Sequence, residues 1–197
     1  MPEAHEQLEH AEHMQHAAGE NRKIAMLIAV LALFLSFSET LGKSSQTEAM
    51  DANVKSADTW AFSQAKDIRR TTLLAAADQT TLLTAGATDS TTKSAIDKQI
   101  DTWRKTAARY ESDPSTGEGL KELRARAKGL EEDRDLALAK YHHYEIASAA
   151  FQVGIVLASA TLITGVFSLA WFSGGLGVIG LLLLCLGLFA PNLVTFL

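Results

Sequence analysis

The stretch from Ile24 to Leu41 constrains this chain more than any other part of its sequence. It is apolar apart from four polar residues near its end, which are Ser36, Ser38, Glu39 and Thr40. A helix of about 20 apolar residues is long enough to cross the hydrocarbon core of a bilayer. Two further apolar runs, at residues 146–171 and 176–197, close the chain. We therefore predict three membrane-spanning helices, with the lipid bilayer as their first partner.

The composition excludes several functional classes. The chain of 197 residues carries a net charge of −5, and no Lys or Arg follows Lys140. A nucleic-acid-binding protein needs a distributed basic surface to neutralise phosphates, so no nucleic-acid partner is predicted. The sequence also contains no Gly-rich phosphate loop, no nucleophile–base motif and no H-E-x-x-H. We predict that the protein is not an enzyme and that it binds no cofactor.

A polar tail rich in His and Glu precedes the first span, at residues 1–23. Its candidate metal ligands are His5, His10, His13 and His16. If the tail is helical, His10, His13 and His16 lie roughly on one face. Neutral imidazoles are ligands for zinc, nickel and copper, which predicts a metal site. A pH-responsive tail is an alternative, since histidine titrates near neutrality, and a disordered polar leader is the third interpretation.

Glu39 is a candidate intramembrane acid. It lies about 22 Å along the helix from Ile24, near the far end of the first span. A carboxylate at that depth can reach headgroups or water at the interface. If several copies assemble around one axis, Glu39 would instead form a ring at a pore mouth.

The polar middle of the chain, residues 43–145, has helical periodicity. Its first part contains a heptad seam of mostly small residues at alternating spacings of 4 and 3, formed by Met50, Val54, Ala57, Ala61, Gln64 and Ile68. No proline occurs between Ile24 and Ser90. We therefore predict one helix that leaves the membrane and continues to about Leu83.

Two segments rich in turn residues, 84–94 and 112–119, separate two further predicted helices. Candidate caps for the second helix are Asp89, Ser90 and Thr91. Its apolar residues at 4, 3 spacing are Ile96, Ile100, Trp103, Ala107 and Tyr110. Those of the third helix are Leu120, Leu123, Ala127 and Leu130. Each pattern predicts one buried helix face.

The helix lengths predict an antiparallel hairpin. The outgoing arm spans about 60 Å and the two returning helices together about 72 Å, and both arms must start and end at the membrane surface. The predicted fold is an all-α membrane protein, with three transmembrane helices and a long extramembrane, coiled-coil-like hairpin between the first and second. The predicted segments are the tail at 1–23, transmembrane helices at 24–42, 146–171 and 176–197, the hairpin at 43–145, and a turn at 172–175 (FSGG).

The stretch Met50–Arg70 contains the core W-A-x-x-Q-A-K-x-I-R, formed by Trp60, Ala61, Gln64, Ala65, Lys66, Ile68 and Arg69. This core resembles the signature of a family of uncharacterised bacterial inner-membrane proteins, classed as a domain of unknown function. The resemblance covers nearly the whole chain and implies no activity, cofactor or catalytic residue. Physically, the core indicates either helix packing or a contact site for a partner or lipid headgroup. The candidate interaction residues are Trp60, Gln64, Lys66 and Arg69.

The resemblance implies a multi-pass protein of the bacterial inner membrane. Arg22 and Lys23 precede the first span and favour a cytoplasmic N-terminus, which would place the hairpin in the periplasm. Basic residues beyond the first span, such as Lys43, favour the opposite orientation. The hairpin exceeds 60 residues, however, a length at which the charge rule weakens.

The sequence is compatible with three alternative functions. The first is a homo-oligomeric membrane scaffold or accessory protein that packs against its own copies or a membrane-protein partner. It is motivated by the small-residue seam and by Ala150, Gly154 and Ala158, whose spacing of 4 allows close helix approach. The second is a pore or transport element around Glu39. The third is a metal-responsive membrane protein that uses its histidine-rich tail.

Overall fold

The computed structural model describes residues 3–84 and 89–193, with side chains from residue 21 onward. Within those ranges the protein consists of four helices and has no strand. Their bounds are α1 (Glu3–Leu83), α2 (Ser90–Glu111), α3 (Leu120–Thr164) and α4 (Ser168–Phe189). The all-α part of the predicted fold is therefore confirmed.

The first helix is unusually long. α1 has 81 residues, continues through Gly42 and ends at Leu83, where the sequence predicted its end. No proline lies between Glu3 and Leu83, so no residue removes a backbone donor or clashes with the preceding turn. α1 begins within the predicted polar tail, whose side chains up to residue 20 lie outside the described residues.

The ends of α2 follow the predicted signals. Asp89, one of the three candidate caps, accepts a hydrogen bond from the backbone N–H of Thr92 at 2.9 Å. α2 ends at Glu111, directly before the predicted break at 112–119, and α3 begins directly after it. Across this break, the hydroxyl of Ser112 donates to the Glu122 carboxylate at 2.5 Å.

The predicted turn at 172–175 is wrong. The interruption between α3 and α4 lies at residues 165–167, and residues 172–175 lie inside α4. Gly165 has a φ of 71° and its N–H donates to the carbonyl of Thr161 at 2.9 Å, which is how a glycine ends a helix. Gly174 and Gly175 do not stop α4, because glycine is well tolerated inside apolar helices.

Within the described residues, three helices are long and apolar enough to cross a membrane, judged by length and composition. They are the segment Asn21–Leu83 of α1, α3 and α4. The apolar part of α3 ends at Thr164, so the second apolar span is shorter than predicted. The apolar part of α4 starts at Ser168, so the third span begins earlier than predicted. α4 ends at Phe189, just before Pro191, and residues 194–197 of the predicted third span lie outside the described part of the chain.

The chain divides into two compact units. We call residues 1–48 and 136–197 the apolar unit, and residues 49–135 the polar unit. The core of the apolar unit consists of Leu31, Ala147, Phe151 and Leu184. Phe34 stacks on Phe151, with ring centroids 5.9 Å apart. This core joins α1, α3 and α4.

Within the apolar unit, α4 packs through its smallest residues. A Cβ atom on Gly180 would lie 2.7 Å from the Phe151 ring, and one on Gly187 would lie 2.7 Å from the Tyr144 ring. The hydroxyl of Ser173 donates to the carbonyl of Gly154 at 2.7 Å. Small residues bring membrane helices close together in this way, and here they receive bulky aromatic rings from α3.

In the polar unit, the predicted faces of α2 and α3 are confirmed. Ile100 and Ala107 of α2 are buried. Leu120, Leu123 and Ala127 of α3 are buried as well. On both helices the apolar spacing of 4 and 3 therefore identified the side that packs.

The predicted seam of α1 is not the face that the polar unit buries. The buried residues of α1 in this unit are Ala49, Ala52, Ser56, Ser63 and Ala77. The hydroxyl of Ser56 donates to the carbonyl of Ala127 at 3.2 Å, so this buried polar group is satisfied. Alanine and serine let two helix backbones approach closely, which is why a face without a large apolar side chain can pack.

Candidate functional site

The most prominent surface of the polar unit is the outer stripe, which we define as Met50, Val54, Ala57, Ala61, Gln64 and Ile68 of α1. All six side chains are exposed, and the relative exposure is 65% for Met50, 58% for Val54 and 67% for Ile68. Two residues turn a helix by about 200°, so Met50 and Val54 lie nearly opposite the buried Ala52. The outer stripe keeps the heptad spacing of a helix-packing seam but has no covering helix among the described residues.

The flanks of the outer stripe carry both signs of charge. Asp51 and Lys55 form an exposed ion pair at 2.7 Å on one side of it. Asp58 and Arg69 are exposed as well. A surface with both signs does not favour a strongly acidic or strongly basic partner.

Two of the four candidate interaction residues point into the polar unit. The indole Nε1 of Trp60 donates to the Glu131 carboxylate of α3 at 2.8 Å. The Nζ of Lys66 donates to the carbonyl of Glu118 and lies 3.5 Å from the carboxylate of the same residue. It also lies 5.1 Å from the centroid of the Phe62 ring, within cation–π distance. Trp60 therefore joins α1 to α3, and Lys66 joins α1 to the break that precedes α3.

The other two candidates point outward. Gln64 belongs to the outer stripe and Arg69 is exposed beside it. The W-A-x-x-Q-A-K-x-I-R core thus divides into an inward part and an outward part. The inward part takes part in helix packing, and a contact site formed by the outward part stays a prediction.

Glu39 lines an open cleft of about 460 Å³ between α1 and α3 of the apolar unit. Its Oε1 accepts a hydrogen bond from Gln152 Nε2 at 3.4 Å. Further polar residues of the lining are Lys43, Gln46, Tyr141 and Glu145. Sequence reasoning identified Glu39 but missed the cleft, because Tyr141, Glu145 and Gln152 come from a helix about a hundred residues away. A pore ring around Glu39 stays a prediction.

The pKa of Tyr141 in the cleft lining is raised by a neighbouring charge. The Tyr141 hydroxyl donates to the Glu145 carboxylate at 3.3 Å. The negative charge of Glu145 raises the pKa of Tyr141 above its usual 10.0, because it opposes formation of the phenolate. Tyr141 therefore remains a neutral hydrogen-bond donor under all ordinary conditions.

The four histidines of the predicted metal site, His5, His10, His13 and His16, lie outside the residues whose side chains are described. Within residues 21–84 and 89–193, no group of three or more His, Cys, Asp or Glu is arranged to hold a metal ion. Metal binding by the tail stays a prediction.

Comparison with known proteins assigns the chain to a family. No curated protein and no solved structure matched it significantly. One family model, described as a domain of unknown function (DUF4337), matches residues 20–190 and so includes all four helices except the first turns of α1. The chain therefore belongs to this family, the domain of unknown function DUF4337.

Proposed function

We propose that this protein is a membrane-anchored interaction protein that associates with copies of itself through the outer stripe. The observation that carries the proposal is the exposure of Met50, Val54 and Ile68 at heptad spacing in the polar unit. Burying one such side chain is worth about 1.5–3 kcal/mol. A second helix with matching spacing would bury all three together.

The proposed anchor is the set of three long apolar helices. Their length and hydropathy support a multi-pass protein, which we place in the bacterial inner membrane. The N-terminus would be cytoplasmic, since Arg22 and Lys23 precede the first span. Residues 43–145 would then lie in the periplasm.

We also propose that residues 43–145 form an antiparallel hairpin. Inside the polar unit, Ser56 contacts Ala127 and Asp67 contacts Arg124. Farther along α1, Arg70 pairs with Glu111 at 2.8 Å and Asp78 pairs with Arg104 at 3.4 Å. The partner numbers fall as the numbers on α1 rise, which supports an outgoing α1 with α2 and α3 returning beside it.

A second copy fits the outer stripe better than an unrelated partner of strong charge. The flanking charges have both signs, so two copies can place Asp51 or Asp58 near Lys55 of each other. Ala57 and Ala61 are small, and the same residue type already packs within the polar unit at Ala49 and Ala52. Copies held in one membrane also share one orientation, which reduces the entropic cost of association.

The proposal is tested by the mass of the purified protein in detergent, measured by light scattering on size-exclusion fractions. Wild type should elute as an oligomer, and Ala61→Asp should shift it to the monomer. Ala125→Asp is the matched control, because Ala125 is an exposed alanine on α3 away from the outer stripe. The two substitutions have the same helix-propensity cost, so a difference between them reports the surface alone.

Two outcomes would contradict self-association through this surface. One is a monomeric wild-type protein, which would leave a different membrane protein as the occupant of the outer stripe. The other is an oligomer that Ala61→Asp and Ala125→Asp affect equally.

The orientation has a separate test. In a Cys185→Ser background, which removes the only cysteine, Ala125→Cys supplies one thiol in the polar unit. Whole cells treated with a membrane-impermeant maleimide should label this thiol if residues 43–145 are periplasmic. Labelling only after cell lysis would reverse the orientation.

A further inference from the structure

The open cleft of the apolar unit has an unusual lining for its position. It opens between α1 and α3 where the first apolar run ends and the second begins. Glu39 lies in the last turns of the first run, and Glu145 is the last charged residue before the second. Gln152 lies about 10 Å farther along α3, within the apolar segment. Polar walls therefore continue into a region that lipid surrounds if these helices cross a membrane.

The charged groups of the cleft differ in how far other described residues satisfy them. The Glu145 carboxylate accepts from Tyr141 and lies 3.8 Å from Nδ1 of His142. Glu39 has one long hydrogen bond, from Gln152 at 3.4 Å. Glu39 and Lys43 are four residues apart on α1, a spacing that often forms an ion pair. In the described ranges, however, neither forms an ion pair with any side chain.

A polar cleft at this depth needs a polar occupant. Leaving a carboxylate and an amide against hydrocarbon is costly, and intramembrane charges usually contact water, a partner or a ligand. The volume of about 460 Å³ lies within the range of about 300–1,000 Å³ found for small-molecule sites. An occupant with one positive and one negative group would satisfy Glu39 and Lys43 together.

We propose that this cleft binds the headgroup of a phospholipid that carries a phosphate and a primary ammonium. The ammonium would donate to Glu39 and Glu145, and the phosphate would accept from Lys43 and Gln46. The acyl chains would lie along the exposed apolar surface that continues from the cleft, which includes Ala32 of α1 and Val156 of α3. The site thus takes one lipid with both ends of its headgroup recognised.

The charges of the cleft exclude the other common headgroups. Two carboxylates face one ammonium of the protein, so a purely anionic headgroup finds Lys43 but meets repulsion from Glu39 and Glu145. A quaternary ammonium carries charge without an N–H, so it cannot donate to Glu39. Phosphatidylethanolamine should therefore bind better than phosphatidylcholine or phosphatidylglycerol.

This inference rests on the membrane location proposed above but not on self-association. The two can be separated, because Ala61→Asp lies in the polar unit and leaves the cleft intact. The Ala61→Asp protein should become monomeric and still show the same lipid preference as wild type.

Native mass spectrometry of the full-length protein in detergent, titrated with the three dioleoyl lipids, tests the site. The phosphatidylethanolamine adduct should exceed the phosphatidylcholine adduct about fivefold, the typical net effect of one hydrogen bond. Glu39→Gln should reduce this ratio to about one. The matched control is Glu48→Gln, an exposed carboxylate on α1 that does not line the cleft, and it should keep the wild-type ratio.

Further arms distinguish the sources of the effect. Lys43→Met should weaken the binding of phosphatidylethanolamine and phosphatidylcholine alike, because both carry the phosphate. Soluble phosphoethanolamine should fail to displace the lipid at millimolar concentration; displacement would assign the cleft to a free metabolite and overturn the lipid proposal. Equal binding of all three lipids by wild type, or an unchanged ratio in Glu39→Gln, would also overturn it. Glu145→Gln replaces Glu39→Gln if the latter does not fold.

Discussion

The two units of this protein both expose large apolar side chains, but the exposure has a different meaning in each. In the apolar unit, exposed residues such as Leu33, Val156 and Val178 belong to helices that are apolar enough to lie in lipid. In the polar unit, Met50, Val54 and Ile68 are exposed on a helix face whose neighbours are charged. Lipid can cover the first set, whereas the second set belongs to the surface that we propose to join copies of the protein.

The units also differ in how their helices approach one another. In the apolar unit, glycines of α4 receive the rings of Phe151 and Tyr144. In the polar unit, Ala52 and Ser56 of α1 pack on α3 without any large side chain of their own. Close packing therefore uses small residues in both, and the large residues of α1 in the polar unit stay available for a partner.

The largest expected effect comes from enlarging a glycine of α4 that contacts an aromatic ring of α3. Gly180→Val places atoms where the Phe151 ring lies, since even a Cβ there would be 2.7 Å from the ring. We expect the free energy of unfolding to fall by about 3 kcal/mol, measured by equilibrium unfolding in mixed micelles. Gly174→Val is the control, because among the described residues no atom outside its own turns of α4 lies within 4 Å of a Cβ at that position. Equal effects of the two substitutions would contradict close packing of α4.

The next effect compares the two faces of α1 in the polar unit. Ala52→Leu overpacks the buried face and should lower the free energy of unfolding by about 2 kcal/mol. Ala57→Leu enlarges the outer stripe, so it should leave the unfolding of the monomer nearly unchanged and strengthen self-association. Denaturant titration at low protein concentration measures the first effect, and the concentration dependence of the oligomer measures the second. A destabilised Ala57→Leu monomer would mean that the outer stripe is packed within the chain.

A smaller effect is expected at the inward half of the W-A-x-x-Q-A-K-x-I-R core. Trp60→Phe removes the N–H that donates to Glu131 at 2.8 Å while it keeps an aromatic ring. The free energy of unfolding should fall by about 1 kcal/mol, the typical net value of one hydrogen bond. Gln64→Ala, in the outward half, should not change it. If Gln64→Ala is the more destabilising of the two, the division of the core into inward and outward halves is wrong.

The smallest effect is a pH dependence at the break between α2 and α3. The hydroxyl of Ser112 donates to Glu122 and lowers the pKa of that carboxyl below its usual 4.5. A pKa lowered by folding contributes stability above the unfolded value, and this contribution is lost as the pH falls through the folded value. Glu122→Gln should therefore flatten the decline in stability below about pH 4.5, measured by denaturant titration across that range. Glu132→Gln, an exposed carboxylate on the same helix, should leave the decline unchanged.

Much of the secondary structure follows from the sequence. Strong local signals, namely the capping Asp89 and the break around Pro114, identified where α2 begins and ends and where α3 begins. The turn before α4 was misplaced because Gly174 and Gly175 were a more conspicuous signal than Gly165, and only the backbone shows which glycine adopts a positive φ.

The contact surfaces were harder to predict. The periodicity of large residues identified the packed faces of α2 and α3 but selected the outer stripe on α1, because serine and alanine give no hydrophobic signal when they pack. The cleft at Glu39 also requires Tyr141, Glu145 and Gln152 of a distant helix. Local periodicity does not specify which distant segments of a chain pair with each other.

The central claim, that the outer stripe joins copies of this protein, is tested most directly in the native membrane. Membrane patches extracted with a styrene–maleic acid polymer keep the protein in its own lipid, and mass photometry counts the copies in each patch. Wild type and Ala125→Asp should give two or more copies per patch, and Ala61→Asp should give one. A single copy in wild-type patches, or equal counts in all three proteins, would contradict the account.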